Sequence, residues 1–442
     1  MFSDKFDESS DQDILRFAGG LIGKTLSQVA TIPDSELSAR GKGRLGALVE
    51  KYYFGYEPNS DSLPDFPKAN LELKVTGLKS KPNDPPVAKE RLSLNLINYF
   101  DLASETFETS AFFRKCQKLL VLCYRYDASV RTIDQTFTDN QFIYEFMRED
   151  LSVIKQDWEL IRAKVISGKA HEISEGDTFF LKANRKGAGG DNDWTGQPFS
   201  DARAYKRGWS FNSHFLTGMI RNAMESKSLA AEPSERHIEQ AIQICFKSHF
   251  GRSTEDLISH FDSEGLESKT SKSKRYNLAV KMLGQGNLAP ADLKKAGIRL
   301  KTVRLKKSGA TRESMSFPAF DYEELSKQTW EESDFNSALE EKFLLVIFQE
   351  GADGVERLTR AAYWNMPYAD RLTAQEVWEE TRGRILDGSY VFPGSRQNEV
   401  AHVRPHGRNS KDQVICPDGA YRMKRCFWLN QKYIEKIANE LA

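Results

Sequence analysis

Apolar residues recur at three- and four-residue intervals from Leu45 to Tyr53 and from Ile154 to Ile166, the spacing that lines one face of a helix. Between these stretches the period changes: Leu71-Glu72-Leu73-Lys74-Val75 alternates apolar and polar side chains, as a half-buried strand does. Leu92–Ile97 and Leu119–Tyr124 read as two further strands. Helices interleaved with short strands predict an α/β layer structure.

The pattern then returns. Residues 64–78, PDFPKANLELKVTGL, resemble residues 291–305, ADLKKAGIRLKTVRL, with Asp65 over Asp292 and Lys74 over Lys301 at an offset of 227. Trp158 and Arg162 lie over Trp378 and Arg382 at an offset of 220, and KRGWSFNSHF from Lys206 lies over KRCFWLNQKY from Lys424 at 218. A weaker match sets Gly23 over Gly251. Matches that keep their order while the offset drifts are what small loop deletions produce, so a tandem duplication is expected. The polar stretch from Met224 to Pro233 lacks periodicity and is the expected break. Domain one is therefore placed at 1–228 and domain two at 229–442.

Composition narrows the class without identifying a partner. The 442 residues carry 63 Lys plus Arg against 63 Asp plus Glu, a formal net charge of zero, with 29% charged and 39% hydrophobic residues. These values exclude disordered and fibrous classes. A basic face can still exist on a neutral chain. No apolar run approaches the roughly 20 residues of a membrane span. The N-terminus, MFSDKFDESSDQD, lacks the basic flank and apolar core of a secretory signal, so a cytoplasmic location is expected. Five cysteines with no C-x-x-C pair predict reduced, mostly buried thiols.

Two glycine-containing strings imitate phosphate loops. Ala18-Gly19-Gly20-Leu21-Ile22-Gly23-Lys24-Thr25 follows Asp13 to Phe17, which look like the end of an amphipathic helix, and Gly41 to Gly46 follows polar residues. A phosphate loop needs a strand feeding it and a helix leaving it. No nucleotide cofactor is expected.

The chemistry concentrates at Asp65 and Glu72-Leu73-Lys74. On a strand Glu72 and Lys74 share a face, and the six residues after Asp65 suffice for a reversal that sets its carboxylate beside Glu72. Asp65, Glu72 and the Leu73 carbonyl make an all-oxygen ligand set suited to Mg²⁺. A metal there polarises a phosphodiester, and Lys74 can orient the attacking water. This is the D…(D/E)-x-K arrangement of nucleases.

With its flanks, GKGRLGALVEKYYFGYEPNSDSLPDFPKANLELKVTGL resembles the catalytic segment of the MutH family, which includes GATC-cutting type II restriction endonucleases with two MutH-like domains. Phe107-Glu108-Thr109-Ser110, Arg114-Lys115 and the Lys155 to Glu159 stretch extend the resemblance. It implies a PD-(D/E)xK fold, a mixed sheet flanked by helices, in tandem, with Mg²⁺-dependent cleavage of double-stranded DNA at 5′-GATC-3′ to 5′-phosphate ends. Asp65 and Glu72 become metal ligands, Lys74 the water-orienting residue, Glu50 an additional acidic residue and Lys115 a lysine near the scissile phosphate.

The second repeat has Arg299 over Glu72, which removes a ligand and adds a permanent cation. It is expected to be catalytically silent, with Arg299 paired to Asp292. His402-Val403-Arg404-Pro405-His406 resembles the family's recognition loop, and Phe427-Trp428 its aromatic recognition element. An arginine can bind guanine O6 and N7. A His402/His406 metal site lacks further ligands at suitable spacing. Lys294, Lys295, Lys301, Arg304, Lys306, Lys307 and Arg312 are candidate phosphate contacts.

Domain one has no Arg-Pro here, leaving Lys182, Arg185 and Lys186 as candidate readers and Trp209 at the aromatic element. The resulting expectation is a restriction endonuclease whose second domain binds DNA as an allosteric effector, with two chains pairing on DNA. The alternatives are a strand-nicking repair endonuclease and a non-catalytic DNA-binding protein.

Overall fold

The computed structural model describes residues 5–37, 43–58, 63–79, 86–127, 129–187, 190–225, 245–261, 271–285, 293, 298–311, 313–330, 333–407 and 412–441. In the first half the helices are α1 (Asp11–Ala18), α2 (Leu26–Val29), α3 (Asp34–Leu37), α4 (Arg44–Leu48), α5 (Tyr99–Ser104), α6 (Ala111–Cys116), α7 (Arg148–Ile166) and α8 (Ser213–Glu225). The strands are β1 (Glu72–Lys79), β2 (Val87–Ala88), β3 (Leu92–Ile97), β4 (Lys118–Arg125), β5 (Thr136–Glu145), β6 (Leu181–Arg185), β7 (Trp194–Gln197), β8 (Ser200–Tyr205) and β9 (Arg207–Phe211). The second half contributes α9 (Thr254–His260), α10 (Ser271–Gln285), α11 (Tyr322–Lys327), α12 (Asp334–Leu339), α13 (Tyr368–Leu386) and α14 (Gln431–Glu440). Its strands are β10 (Ile298–Leu305), β11 (Met315–Ala319), β12 (Lys342–Glu350), β13 (Glu356–Trp364), β14 (Ala401–Pro405), β15 (Gln413–Ile415), β16 (Tyr421–Met423) and β17 (Arg425–Leu429).

Each half repeats one plan. The first has a mixed sheet of order β2-β1-β4-β5, a second sheet β3-β9-β6 and a hairpin β7-β8; the second has β10-β12-β13, β11-β17-β14 and a hairpin β15-β16. In both, the strand bearing the E-x-K or R-x-K sequence runs parallel to its neighbour, Glu72 pairing Leu119 and Arg299 pairing Phe343. Serine N-caps at Ser110 and Ser333 start α6 and α12 at equivalent places. The duplication expected from the sequence is thus a duplication of structure. The break expected between Met224 and Pro233 lies mostly outside the described residues.

Alternation along the strands builds the core. Leu120 and Leu122 join the cluster around α1 and α4, whereas Leu119, Val121 and Cys123 join the one around α7. That second cluster continues into the other half through Leu278, Ile298, Leu344, Val346 and Phe348, so β12 serves both. Its opposite face, Phe343, Leu345 and Ile347, belongs to the core of the second half.

The phosphate-loop look-alike at Ala18 follows helix α1, and Gly41 and Lys42 of the other lie outside the described residues. All five cysteines are buried and free. No helix among the described residues is long and apolar enough to cross a membrane.

Candidate active site

A tight reversal delivers Asp65 to Glu72. Phe66 and Leu71 form an antiparallel bridge, with Asn70 between them in the left-handed region at φ 51°. The Asp65 amide donates to Glu72 Oε2 at 3.2 Å, and the Leu73 amide donates to Asp65 Oδ2 at 2.9 Å. Two carboxylates are thereby fixed side by side before any ligand arrives. Lys74 Nζ donates to Glu72 Oε1 at 2.6 Å. Lys115, from the last turn of α6, stands 3.7 Å from Glu72 Oε2 and donates to the Leu63 carbonyl at 3.1 Å.

These groups line a cleft of about 420 Å³ together with Glu50, Asn95 and Trp209. Burial and the neighbouring Glu72 charge push the Asp65 carboxyl up to about 7. Burial also raises Glu50, opposed by the Lys74 charge. Lys74 is raised overall: burial alone would lower it, and the Glu72 and Asp65 carboxylates more than offset that.

Glu50 owes its place to a feature that periodicity did not distinguish. The expected helix from Leu45 to Tyr53 is α-helical only to Leu48 and continues as a π-helix over Val49–Phe54, where the Gly55 and Tyr56 amides both donate to the Glu50 carbonyl. Such wide turns recur at functional sites. Tyr56 was also missed. Its phenol is raised by burial and then by Asp65, Glu50 and Glu72, which sets it beside the acidic group.

Among the described residues no set of three or more His, Cys, Asp and Glu side chains forms a ready metal cage. The donors available at β1 are two carboxylates and main-chain oxygen, a hard all-oxygen set that fits Mg²⁺ better than a soft or imidazole-preferring metal. Two buried, like-charged carboxylates also favour a cation between them.

The second half carries different side chains at the matching places. Arg299 forms a bidentate pair with Glu341, at 2.6 and 2.7 Å, and its expected partner Asp292 lies outside the described residues. Ala338 occupies the position five residues after the Ser333 cap that Lys115 occupies after Ser110. Lys301 is lowered by burial and by Arg299. Of the other candidate phosphate contacts, Arg304 pairs with Glu356 at 2.6 Å, Lys306 and Lys307 are exposed, and Lys294, Lys295 and Arg312 are outside the described residues.

The recognition candidates divide by strand register. Arg404, Pro405 and His406 are exposed at the end of β14, with Trp428 across the ladder on β17 and its ring 5.9 Å from the Arg404 guanidinium. His402 is fully buried against Asn430, which removes it as a metal ligand.

In the first half Leu181 pairs Phe211 as Ala401 pairs Leu429, so Asn184 is the equivalent of Arg404, and Ser210 that of Trp428. Two expectations are corrected here. Lys182 is buried, with Nζ donating to the Thr178 and Glu175 carbonyls, and Trp209 is the core equivalent of Phe427, only 2% exposed. Arg185 lies over Tyr205 and 3.6 Å from Glu340, and partly exposed Lys186 donates to Ser93 at 3.1 Å.

Comparison with known proteins agrees with this geometry. The family model for the DNA mismatch repair enzyme MutH matches residues 54–157 and again 283–376. The chain is 30% identical to the type II restriction enzyme Sau3AI of Staphylococcus aureus, over 95% of this chain and 96% of that protein. It is 27% identical to the DNA mismatch repair protein MutH of Shewanella woodyi, over 40% of this chain and 75% of that protein. With MutH of Buchnera aphidicola subsp. Baizongia pistaciae it shares 25% identity over 40% of this chain and 80% of that protein. The chain belongs to the MutH-like restriction endonucleases. Within that class it is a type II enzyme, a site-specific deoxyribonuclease.

Proposed function

We propose that the chain hydrolyses double-stranded DNA at 5′-GATC-3′ in a Mg²⁺-dependent reaction, leaving 5′-phosphate ends. Residues 1–228 form the catalytic domain, of PD-(D/E)xK type, and 229–442 a silent domain that binds DNA as an effector. The observation that carries the reading is the convergence of Asp65, Glu72 and Lys74 at one end of β1.

Asp65, Glu72 and the Leu73 carbonyl would hold the metal. When bound, it supplies charge neutralisation at the phosphodiester and a water of lowered pKa. Lys74 leaves its Glu72 contact to orient that water, and Lys115 offers its ammonium to a non-bridging phosphate oxygen. Glu50 adds a third acidic group on the cleft wall. Arg404 and Trp428, with Pro405 and His406 beside them, are assigned to base reading in the second domain. Arg185 and Lys186 remain the candidates in the first.

One active site per chain cuts one strand at a time, so double-strand cleavage calls for two chains paired on DNA or for sequential nicks. Digesting a plasmid that bears GATC with Mg²⁺, followed by sequencing of the ends, tests this. Linear fragments ending at GATC with 5′-phosphates are expected. Nicked circles alone would indicate a repair-type enzyme, and intact plasmid would refute the reading. Plasmids with one and several sites, cut equally fast at matched site concentration, would remove the effector role.

A further inference from the structure

The second half carries a cleft of about 1080 Å³ between the segment from Ser395 to Val400, the end of β14 and the start of α14. Arg396, Arg404, Lys432 and Lys436 line it, and all four are exposed. Among the described residues none of them has an acidic side chain within ion-pair distance. Several other cations of this half are neutralised: Arg422 on Asp418, Lys424 on Asp412, Arg357 on Asp353 and Arg299 on Glu341. Two of the carboxylates in the cleft are already engaged, Asp370 by the Tyr433 hydroxyl at 2.8 Å and Glu435 by the Thr311 amide at 3.3 Å. Those donors are neutral and leave both carboxylates charged, so with Glu399 three carboxylates face the four cations, which stay in slight excess.

Four exposed cations, none at ion-pair distance from a carboxylate among the described residues, leave this concavity with an excess of positive charge that a polyanion complements. The local backbone adds to it. Asn430, the N-cap of α14, gives its side chain to His402 and to the Asn398 carbonyl and caps none of the helix's first-turn amides.

In the first half the equivalents of Asn430 and Gln431, Asn212 and Ser213, line a cavity of about 600 Å³ together with Ile298 and Arg299 of the second half. Arg404 belongs both to the basic cleft of the second half and to the strand end assigned to base reading.

We propose that this basic cleft is the phosphate-binding track of the second half, in which Arg396, Lys432 and Lys436 hold the backbone of double-stranded DNA beside the bases that Arg404 reaches. The proposal rests on the reading that the second half binds DNA. The track supplies affinity without sequence information, while Arg404 and Trp428 supply the choice of site.

The test uses the full-length chain carrying Glu72→Ala, so that DNA stays uncut, with and without Arg396→Gln, Lys432→Gln and Lys436→Gln. Binding of a duplex containing GATC is titrated at several salt concentrations. Each phosphate contact contributes about 0.9 to the slope of log K against log salt, so the triple variant should lower the slope for the second duplex bound per chain by about 2 to 3. The first duplex should bind unchanged.

An unchanged slope, with Arg404→Ala still weakening the second duplex, overturns the track and leaves DNA binding by this half standing. A single duplex per chain, insensitive to either set of substitutions, overturns both. Loss of self-association in DNA-free sedimentation, with the DNA slope unchanged, assigns the face to a second copy of the chain and also overturns the proposal.

Discussion

Asp65 and Glu72 show how a tight reversal sets two carboxylates side by side at one strand end. With the Asp65 carboxyl near 7, the metal-free centre retains a proton close to neutrality. The folded value lies above the unfolded one of 3.8, so this group's contribution to stability is lost as pH rises through about 4 to 7. Two results are expected. Mg²⁺ binding releases a proton below about pH 7, detectable by calorimetry in buffers of different ionisation enthalpy, and apparent affinity rises with pH across that range. Asp65→Asn abolishes cleavage yet raises the metal-free melting temperature at alkaline pH; a lowered one would show that the carboxylate is not under strain. The spacing from Asp65 to Lys74 made this pair legible in sequence. Tyr56 was not, because its relation to the acids depends on the π-turn that ends the helix at Gly55.

At the scale of elements, the two halves satisfy the same backbone need with different side chains. The amides of Phe179, Phe180 and Leu181, at the start of β6, donate to buried Asp157 at 2.7 to 2.9 Å. In the second half Val377 lies at the matching position of α13, and the Asn398 side chain accepts from the Val400 and Ala401 amides instead. Asp157→Ala orphans three buried donors and should cost at least about 2 kcal/mol in urea denaturation. Val377→Ala should create only a small cavity, with a cost of about 1 kcal/mol. Equal losses would mean that Asp157 is not the anchor of β6. The strands were legible from alternation, but the faces they present were not. Lys182 and Trp209 looked like readers because a one-residue difference in a strand turns a side chain from surface to core.

The whole molecule is joined more tightly than a repeat alone suggests. Leu344, Val346 and Phe348 complete a core begun in the first half. Glu340, 4% exposed, accepts from Arg371 and draws in Arg185 at 3.6 Å from across the junction. The arginines around it hold its carboxyl below the usual range against the cost of burial. Glu340→Ala leaves buried guanidinium charge unpaired and should cost about 3 to 5 kcal/mol. Unfolding followed by near-ultraviolet circular dichroism should then separate into two transitions; one sharp transition of unchanged midpoint would deny the junction that role. Net charge gave no hint of either arrangement. Paired cations at the junction and exposed ones at the Arg396 cleft count alike in composition, and only their positions distinguish a structural ion pair from a basic surface.

If a metal held by Asp65 and Glu72 drives cleavage in the first half, DNA binding is a separate property that survives loss of the metal ligand. The direct measurement compares wild type with Glu72→Ala on one plasmid bearing GATC in Mg²⁺, with gel-shift binding of the same sequence measured in parallel. Loss of cutting by at least about 10³-fold with binding retained is expected. Cleavage by Glu72→Ala at a rate near that of wild type would contradict the account.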